Sequence, residues 1–145
     1  MSTRTSFILH PSSLILLLVL GCGKPDYQLA PVSGRVTLDG DPIAEVHVMF
    51  EPLAVKGINP NPGPNSVAVT DADGRYRLET IDPKEEGAVV GRHRVRLTLE
   101  YVHDGRIEDF SPTDKVLPPC CRDGTLEFDV PAGGTRDANW DLSSQ

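Results

Sequence analysis

The sequence lacks a hydrophobic stretch long enough to cross a membrane as a helix, and it has few aromatic residues and little basic charge. Its longest unbroken apolar run covers residues 14–20, whereas a transmembrane helix needs about 20 apolar residues. Aromatic residues make up 6% of the chain, and 21 acidic residues outnumber 14 basic ones, giving a net charge of -7. We therefore expect neither a membrane-spanning helix nor a nucleic-acid partner.

Signatures of catalytic and metal sites are also missing. The chain has no G-x-S-x-G nucleophile motif, no P-loop and no H-E-x-x-H zinc motif. The histidines that follow the apolar run are His47, His93 and His103, and none stands at a metal-ligand spacing. We predict that the protein is not an enzyme and has no catalytic residue, no cofactor and no bound metal. A hydrolase assembled from residues distant in sequence stays open as a third hypothesis, behind the two given below.

The N-terminal segment has the pattern of a secretory signal. A short polar start carries one cation, Arg4, and precedes the apolar run, which ends at Gly21-Cys22. An apolar region of 7–15 residues that ends in a small residue is typical of signal peptides. We predict a cleaved signal peptide at residues 1–21, a tether at 22–31 and one domain at 32–145.

Val19-Leu20-Gly21-Cys22 resembles the lipobox of bacterial lipoproteins. In that family the cysteine is lipidated and the preceding peptide is removed, so the resemblance implies a membrane anchor at Cys22 in the cell envelope, facing the periplasm or the exterior. Removal of the first 21 of 145 residues leaves 124, and loss of Arg4 makes the formal charge -8. Two or more acyl chains, at about 0.8 kcal/mol per buried CH₂, make such an anchor permanent. The alternative is ordinary secretion with a free Cys22.

The rest of the chain has the patterning of strands. Thirteen glycines and thirteen prolines indicate many turns, and the apolar residues after Pro31 alternate with polar ones, as in half-buried strands. An all-β fold is therefore predicted, with two antiparallel sheets packed as a seven-strand β-sandwich and with Trp140 sealing the core from the last strand. The seven strands are predicted at residues 32–38, 46–50, 67–70, 75–79, 92–101, 126–130 and 138–142.

Three motifs, in this order, point to a known family. Residues 32–43, VSGRVTLDGDPI, read V-x-G-x-V followed by D-G-x-P and an apolar residue, and residues 70–78, TDADGRYRL, read T-D-x-x-G-x-aromatic-x-apolar. Residues 91–99 supply a further strand motif. Together they resemble the carboxypeptidase regulatory-like domain, a transthyretin-like (prealbumin-like) β-sandwich. The resemblance implies a module of the non-catalytic kind that serves stability, adhesion or ligand display.

The stretch TDADGRYRL also has the acid-x-acid-Gly look of a calcium loop. An EF-hand loop needs oxygen ligands at positions 1, 3 and 5, glycine at 6 and glutamate at 12. Counting from Asp71 places Arg75 at position 5 and Asp82 at position 12, so the pattern fails. Turn chemistry accounts for the same residues, because Asp bonds its own backbone two residues on and Gly74 accepts a positive φ. We predict a hairpin turn at 71–74, and a weak calcium site shared with another loop remains the alternative.

Cys120-Cys121 and a set of arginines are the other unusual features. Adjacent Cα atoms lie about 3.8 Å apart, which is short for a disulfide, so we predict two thiols before a strand, at least one of them buried. A redox element, an intermolecular disulfide or a soft-metal site are the alternatives. The arginines are predicted to form a solvated sheet face rather than a binding stripe; they are Arg75, Arg77, Arg92, Arg94 and Arg96.

Two functional hypotheses follow from the sequence. The first is a membrane-anchored, non-enzymatic lipoprotein with a β-sandwich structural or binding module at the cell envelope. The second is a small-ligand protein that binds a glycan or a metal through its two long loops, at residues 53–65 and 102–119. The membrane, through lipidated Cys22, is the one partner that the sequence specifies; no protein or glycan partner is identified.

Overall fold

The computed structural model describes residues 26–54, 61–99, 101–103, 106–108 and 117–144, with the backbone alone at 101–103 and 106–108. The predicted signal peptide and Cys22 lie outside the described residues. Parts of the two predicted binding loops, residues 55–60, 104–105 and 109–116, also lie outside them. The fold described below therefore covers most of the predicted domain and the last part of its tether.

The described part of the chain is built from strands, with one short 3₁₀ helix at Pro119–Cys121 and no α-helix. The all-β prediction is therefore confirmed. The strands are β1 (Leu29–Ala30), β2 (Ser33–Leu38), β3 (Asp41–Pro42), β4 (His47–Pro52), β5 (Ser66–Val69), β6 (Arg75–Arg77), β7 (Glu79–Thr80), β8 (Ala88–Val89), β9 (Gly91–Thr98), β10 (Tyr101–His103), β11 (Arg106–Glu108), β12 (Leu126–Val130) and β13 (Trp140–Leu142).

The larger sheet has five antiparallel strands in the order β12-β9-β4-β5-β7. Its strands form where apolar and polar residues alternate, because successive side chains point to opposite faces. On β9 the inward residues His93, Val95 and Leu97 are all buried, and on β4 the same holds for Val48 and Phe50. One face of this sheet therefore belongs to the core.

The smaller sheet is organised around β2. Strand β3 follows β2 through a tight turn at Asp39-Gly40, where both residues have positive φ, the geometry that favours an Asp-Gly pair. Strand β6 pairs with the first half of β2, and β13 pairs with β2 on the opposite edge. The short pairs β1-β8 and β10-β11 are separate from both sheets.

Strand β13 runs parallel to β2, which corrects the prediction that both sheets are antiparallel throughout. Parallel neighbours need a long connection between them. Here that connection is most of the domain, because the chain passes through the larger sheet before it returns at Trp140. Because no hairpin turn joins β2 to β13, the two strands are not required to be antiparallel.

The segment from β6 to β7 passes from one sheet to the other. Strand β6 pairs with β2 in the smaller sheet, whereas β7 pairs with β5 in the larger one. Between them, Leu78 is fully buried, and its backbone N–H donates to the carbonyl of Val32 at 2.9 Å. The crossing at Leu78 thus ties the two sheets together.

The two sheets pack face to face around one apolar core. Phe50 and Phe128 of the larger sheet lie with their ring centroids 6.5 Å and 6.1 Å from that of Trp140 in the smaller sheet. Contacts at this spacing and tilt are favourable for aromatic rings. Trp140 is half-buried, and it covers the core from the last strand, as predicted.

Each of the seven predicted strands corresponds to an observed one, but the count of seven was wrong. The strand predicted at 75–79 is divided between the two sheets, and short strands were missed at β1, β3 and β8. The predicted loop 102–119 includes most of the paired strands β10 and β11 and the first residue of the 3₁₀ helix. These pieces are only two or three residues long, which is too short for a repeating pattern to appear in the sequence.

Candidate functional site

The stretch TDADGRYRL forms a turn, and the turn uses the carboxylate that a calcium ion would need. The Asp71 Oδ1 atom accepts hydrogen bonds from the backbone N–H groups of Asp73 and Arg75, both at 2.9 Å. Gly74 has φ +72°, and its N–H donates to the Asp71 carbonyl at 2.9 Å. The predicted turn at 71–74 is therefore confirmed.

The arms of this hairpin pair less completely than predicted. At the base, Ser66 and Val67 lie opposite Thr80 and Glu79, and at the tip the N–H of Asp71 donates to the Arg75 carbonyl. Between these points the arms separate, because β6 pairs with β2 instead of β5. The separation places the outward side chains of β6 beside those of β2.

Arginines of the two strands meet on the outer face of the smaller sheet. Arg35 lies opposite Arg75, and Ser33 lies opposite Arg77. All three arginines are exposed, whereas Tyr76 between them is buried. Like charges directly opposite each other on neighbouring strands are destabilising, so this pairing has an energetic cost within the isolated domain.

We call the concavity at this face the arginine groove. It is open to solvent and has a volume of about 570 Å³. Four arginines line it, together with a single carboxylate, that of Asp71. Its lining residues are Ser33, Gly34, Arg35, Val69, Asp71, Arg75, Tyr76, Arg77, Arg136 and Asn139.

The four arginines differ in how they are held. Arg35 donates from Nε to the backbone carbonyl of Asp73 at 2.9 Å, and Arg77 forms an exposed ion pair with Glu86 at 3.4 Å. Within the described ranges, Arg75 and Arg136 form no ion pair. The groove thus contains one guanidinium fixed by the backbone and two that have no counter-ion among the described residues.

A second depression adjoins the groove and brings it close to the tether. It has a volume of about 560 Å³ and shares Ser33, Arg77 and Arg136 with the groove. Pro31 and Val32, where the tether joins the domain, also line it. Its lining contains two arginines and two carboxylates, those of Glu86 and Asp137, so its formal charges balance.

The floor of the groove is held by hydrogen bonds to the connection before β13. The buried hydroxyl of Tyr76 donates to the Ala138 carbonyl at 2.6 Å and accepts from Trp140 Nε1 at 3.1 Å. Burial raises the pKa of Tyr76, so this hydroxyl stays protonated. Gly34 lies against the same connection, and a Cβ atom there would overlap the Ala138 carbonyl.

The other predicted arginines lie elsewhere. Arg92, Arg94 and Arg96 lie on the outer face of the larger sheet, so the five arginines do not form one stripe. Arg94 and Arg96 lie 3.7 Å and 3.9 Å from the Glu51 carboxylate, and Arg92 lies 3.6 Å from that of Glu127. These exposed, paired charges agree with the predicted solvated face.

The cysteine pair has the features of an unreactive site. Cys121 is fully buried at the end of the 3₁₀ helix, Cys120 is half-buried, and both are free thiols. Burial and, secondarily, the neighbouring Cys120 raise the pKa of Cys121 to about 12. Because the thiolate is the reactive form, Cys121 is a poor nucleophile and a poor metal ligand at neutral pH. The prediction that at least one of the two thiols is buried is confirmed.

Among the residues whose side chains the structure describes, His93 belongs to the core. His93 is fully buried, with Nδ1 bonded to the Gly91 carbonyl at 2.8 Å and with Nε2 lacking a hydrogen-bond partner. Burial lowers the pKa of His93, so its neutral form is favoured. Among the residues that the structure describes, no three His, Cys, Asp or Glu side chains are grouped so that they could hold a metal.

Two residues of the groove were missed from the sequence. Arg35 stands at a polar position of the first predicted strand, so the alternating pattern placed it outward, but nothing in the pattern paired that strand with β6. Arg136 lies outside any strand, and the connection before β13 brings it beside the others, because Thr135 forms a parallel bridge with Val32 and its carbonyl accepts from the Ser33 N–H. No sequence signal identifies Arg136.

Comparisons with protein-family models, with curated proteins and with solved structures found no match for this chain. Within the described residues, no helix has the length and hydrophobicity needed to cross a bilayer.

Proposed function

We propose that this chain is a non-enzymatic lipoprotein of the bacterial cell envelope, anchored at Cys22, and that its β-sandwich is a binding module. The observation that carries the proposal is the lipobox-like run Val19–Cys22, which stands directly before the described fold. The first described residue is Asp26, and hydrogen bonding within the domain begins at Gln28, whose carbonyl accepts from Val90. The anchor and the domain are therefore joined by only a few residues.

The sandwich is proposed to be of the carboxypeptidase regulatory-like, transthyretin-like type. Two glycines of the sequence motifs support this assignment. Gly34, the glycine of V-x-G-x-V, allows β2 to approach the Ala138 carbonyl. Gly74, the glycine of T-D-x-x-G, has positive φ, and a Cβ atom there would overlap the Val36 carbonyl. Each glycine is thus needed for a contact that holds the fold.

The state of the reactive side chains supports a role in binding rather than catalysis. A catalytic base or nucleophile needs access to substrate and a pKa matched to its task. Tyr76, His93 and Cys121 are buried. Burial raises the pKa of Tyr76 and of Cys121 and lowers the pKa of His93, so the neutral form of each side chain is favoured. The accessible polar feature is instead the arginine groove, whose side chains bind charge without reacting.

Metabolic labelling with a palmitate analogue tests the anchor. We expect label on the wild-type chain and none on Cys22→Ala. The matched control is Cys120→Ala, which removes a half-buried thiol from the same chain and should leave labelling unchanged. An unlabelled wild type, or label retained by Cys22→Ala, would contradict the proposal.

A further inference from the structure

We propose that the arginine groove binds the anionic phosphate headgroups of the membrane in which the protein is anchored. This inference rests on the proposed lipidation of Cys22 and goes beyond it, because it assigns a ligand and an orientation to the domain. It is carried by the charge of the groove, the position of the tether and the chemistry of the guanidinium group.

The groove concentrates positive charge on a chain that is acidic overall. Four arginines line it against one carboxylate, although the whole chain has a net charge of -7. That carboxylate, on Asp71, already accepts two backbone hydrogen bonds. Arg35 and Arg75 lie directly opposite each other, an arrangement that an anion between them would stabilise. The groove therefore matches an anionic surface.

The tether places the groove near the bilayer. Asp26 follows Cys22 by four positions in the sequence, so their Cα atoms are at most about 14 Å apart. The tether then joins the domain at Pro31 and Val32, which line the depression that shares Arg77 and Arg136 with the groove. A domain of this size has a radius of gyration of about 13 Å. A spacer of about the same length as that radius keeps the side of the domain that joins the tether, and the groove with it, close to the membrane.

The residue type fits phosphate. Every cation of the groove is an arginine, whose planar fork of N–H donors binds phosphate oxygens in pairs, whereas lysine acts as a point charge. Arg35 is already positioned by the Asp73 carbonyl, and Arg75 and Arg136 have no ion pair among the described residues. Basic residues close to anionic lipid each strengthen binding to the surface.

Co-sedimentation with lipid vesicles tests this inference. The processed chain, residues 22–145 with Cys22→Ser, retains every described residue and carries no acyl chain. We expect it to sediment with phosphatidylcholine vesicles that contain phosphatidylglycerol, and not with phosphatidylcholine vesicles alone. The double variant Arg75→Gln/Arg136→Gln should bind about 30-fold more weakly, since two arginines at about 1 kcal/mol each correspond to that factor.

The matched control is Arg92→Gln/Arg96→Gln, which removes the same charge from the larger sheet and should bind within about twofold of the parent chain. Thermal unfolding of all three proteins checks that they fold. Equal weakening in both double variants would overturn the proposal, and so would equal binding to the two kinds of vesicle. Binding to a soluble carboxylated glycan in the absence of vesicle binding would also overturn it.

The vesicle test and the labelling test fail independently. Vesicle binding by the unacylated chain, together with an unlabelled Cys22 in cells, would refute only the anchor. A labelled Cys22 with no binding to anionic vesicles would leave the lipoprotein proposal standing and refute the role of the groove.

Discussion

At the scale of single residues, the structure distinguishes side chains that hold the fold from those available to a ligand. Tyr76 and Arg77 are neighbours in β6, yet the Tyr76 hydroxyl is buried between Ala138 and Trp140 while Arg77 lines the groove. The alternation of the strand produces this division. Consequently, the floor of the groove at Tyr76 belongs to the core, whereas the arginine side chains that line it are exposed to solvent and can contact a ligand.

His93 makes the stability of the domain depend on pH. Burial lowers its pKa, and the bonds to Gly91 and the nearby Asp129 carboxylate oppose this effect to a smaller extent. In the unfolded chain the pKa of a histidine is near 6.5. Just below that pH the unfolded state therefore binds a proton at His93, whereas the folded state remains unprotonated there until the pH falls to the lowered pKa. The free energy of unfolding should therefore fall as the pH drops from about 6.5 through the lowered pKa.

Urea unfolding of wild type and His93→Gln at about pH 7 and about pH 5 measures this effect. The wild type should lose more stability between the two pH values than the variant does, since other groups titrate in both. Equal losses would show that His93 does not contribute to the acid sensitivity.

At the scale of elements, the contact between β2 and the connection before β13 is the tightest constraint on the smaller sheet. In the Gly34→Ala variant the added Cβ atom would overlap the carbonyl group of Ala138, so either β2 or the connection before β13 must move. We expect a loss of about 1–3 kcal/mol of unfolding free energy, the usual cost of overpacking. The groove should widen with it, because Arg35 and Arg136 lie on the two sides of this contact.

The matched control is Gly133→Ala, at a glycine whose added Cβ atom would have no heavy atom within 4 Å. Thermal unfolding should show a lowered melting temperature for Gly34→Ala and little change for Gly133→Ala. Similar melting temperatures for the two variants would contradict the account of the V-x-G-x-V motif.

The sequence predicted where strands and turns occur, but it did not predict which strands pair with each other. Alternation located the strands, and the Asp39-Gly40 and Asp71–Gly74 turns followed from local chemistry, because each depends on residues adjacent in the chain. Pairing depends on which apolar faces meet across long separations. Alternation alone could not show that β6 leaves β5 for β2 or that β13 runs parallel to β2.

The same limit applies to the candidate site. The sequence predicts one solvated face that combines Arg75 and Arg77 with the arginines of β9, whereas the structure places β9 in the other sheet. The two that complete the groove, Arg35 and Arg136, are separated by about a hundred positions. They meet because the connection before β13 lies against β2. A site assembled from side chains on separate strands has no spacing that a linear motif can express.

At the scale of the whole molecule, a chain that is acidic overall has a basic groove on one face, near the predicted tether. A net charge of -7 keeps most of the surface away from anionic lipid. The groove lies close to the point where the tether joins the domain, and it is the part of the surface that we propose to bind anionic lipid. Such a protein would lie on the membrane in one preferred orientation instead of tumbling on its anchor.

The anchor at Cys22 is the central claim, and the intact mass of the protein extracted from membranes tests it most directly. The account predicts a chain of 124 residues that begins at Cys22, heavier than the unmodified chain by the mass of its acyl groups. A chain that begins elsewhere, or one that begins at Cys22 without added mass, would contradict it.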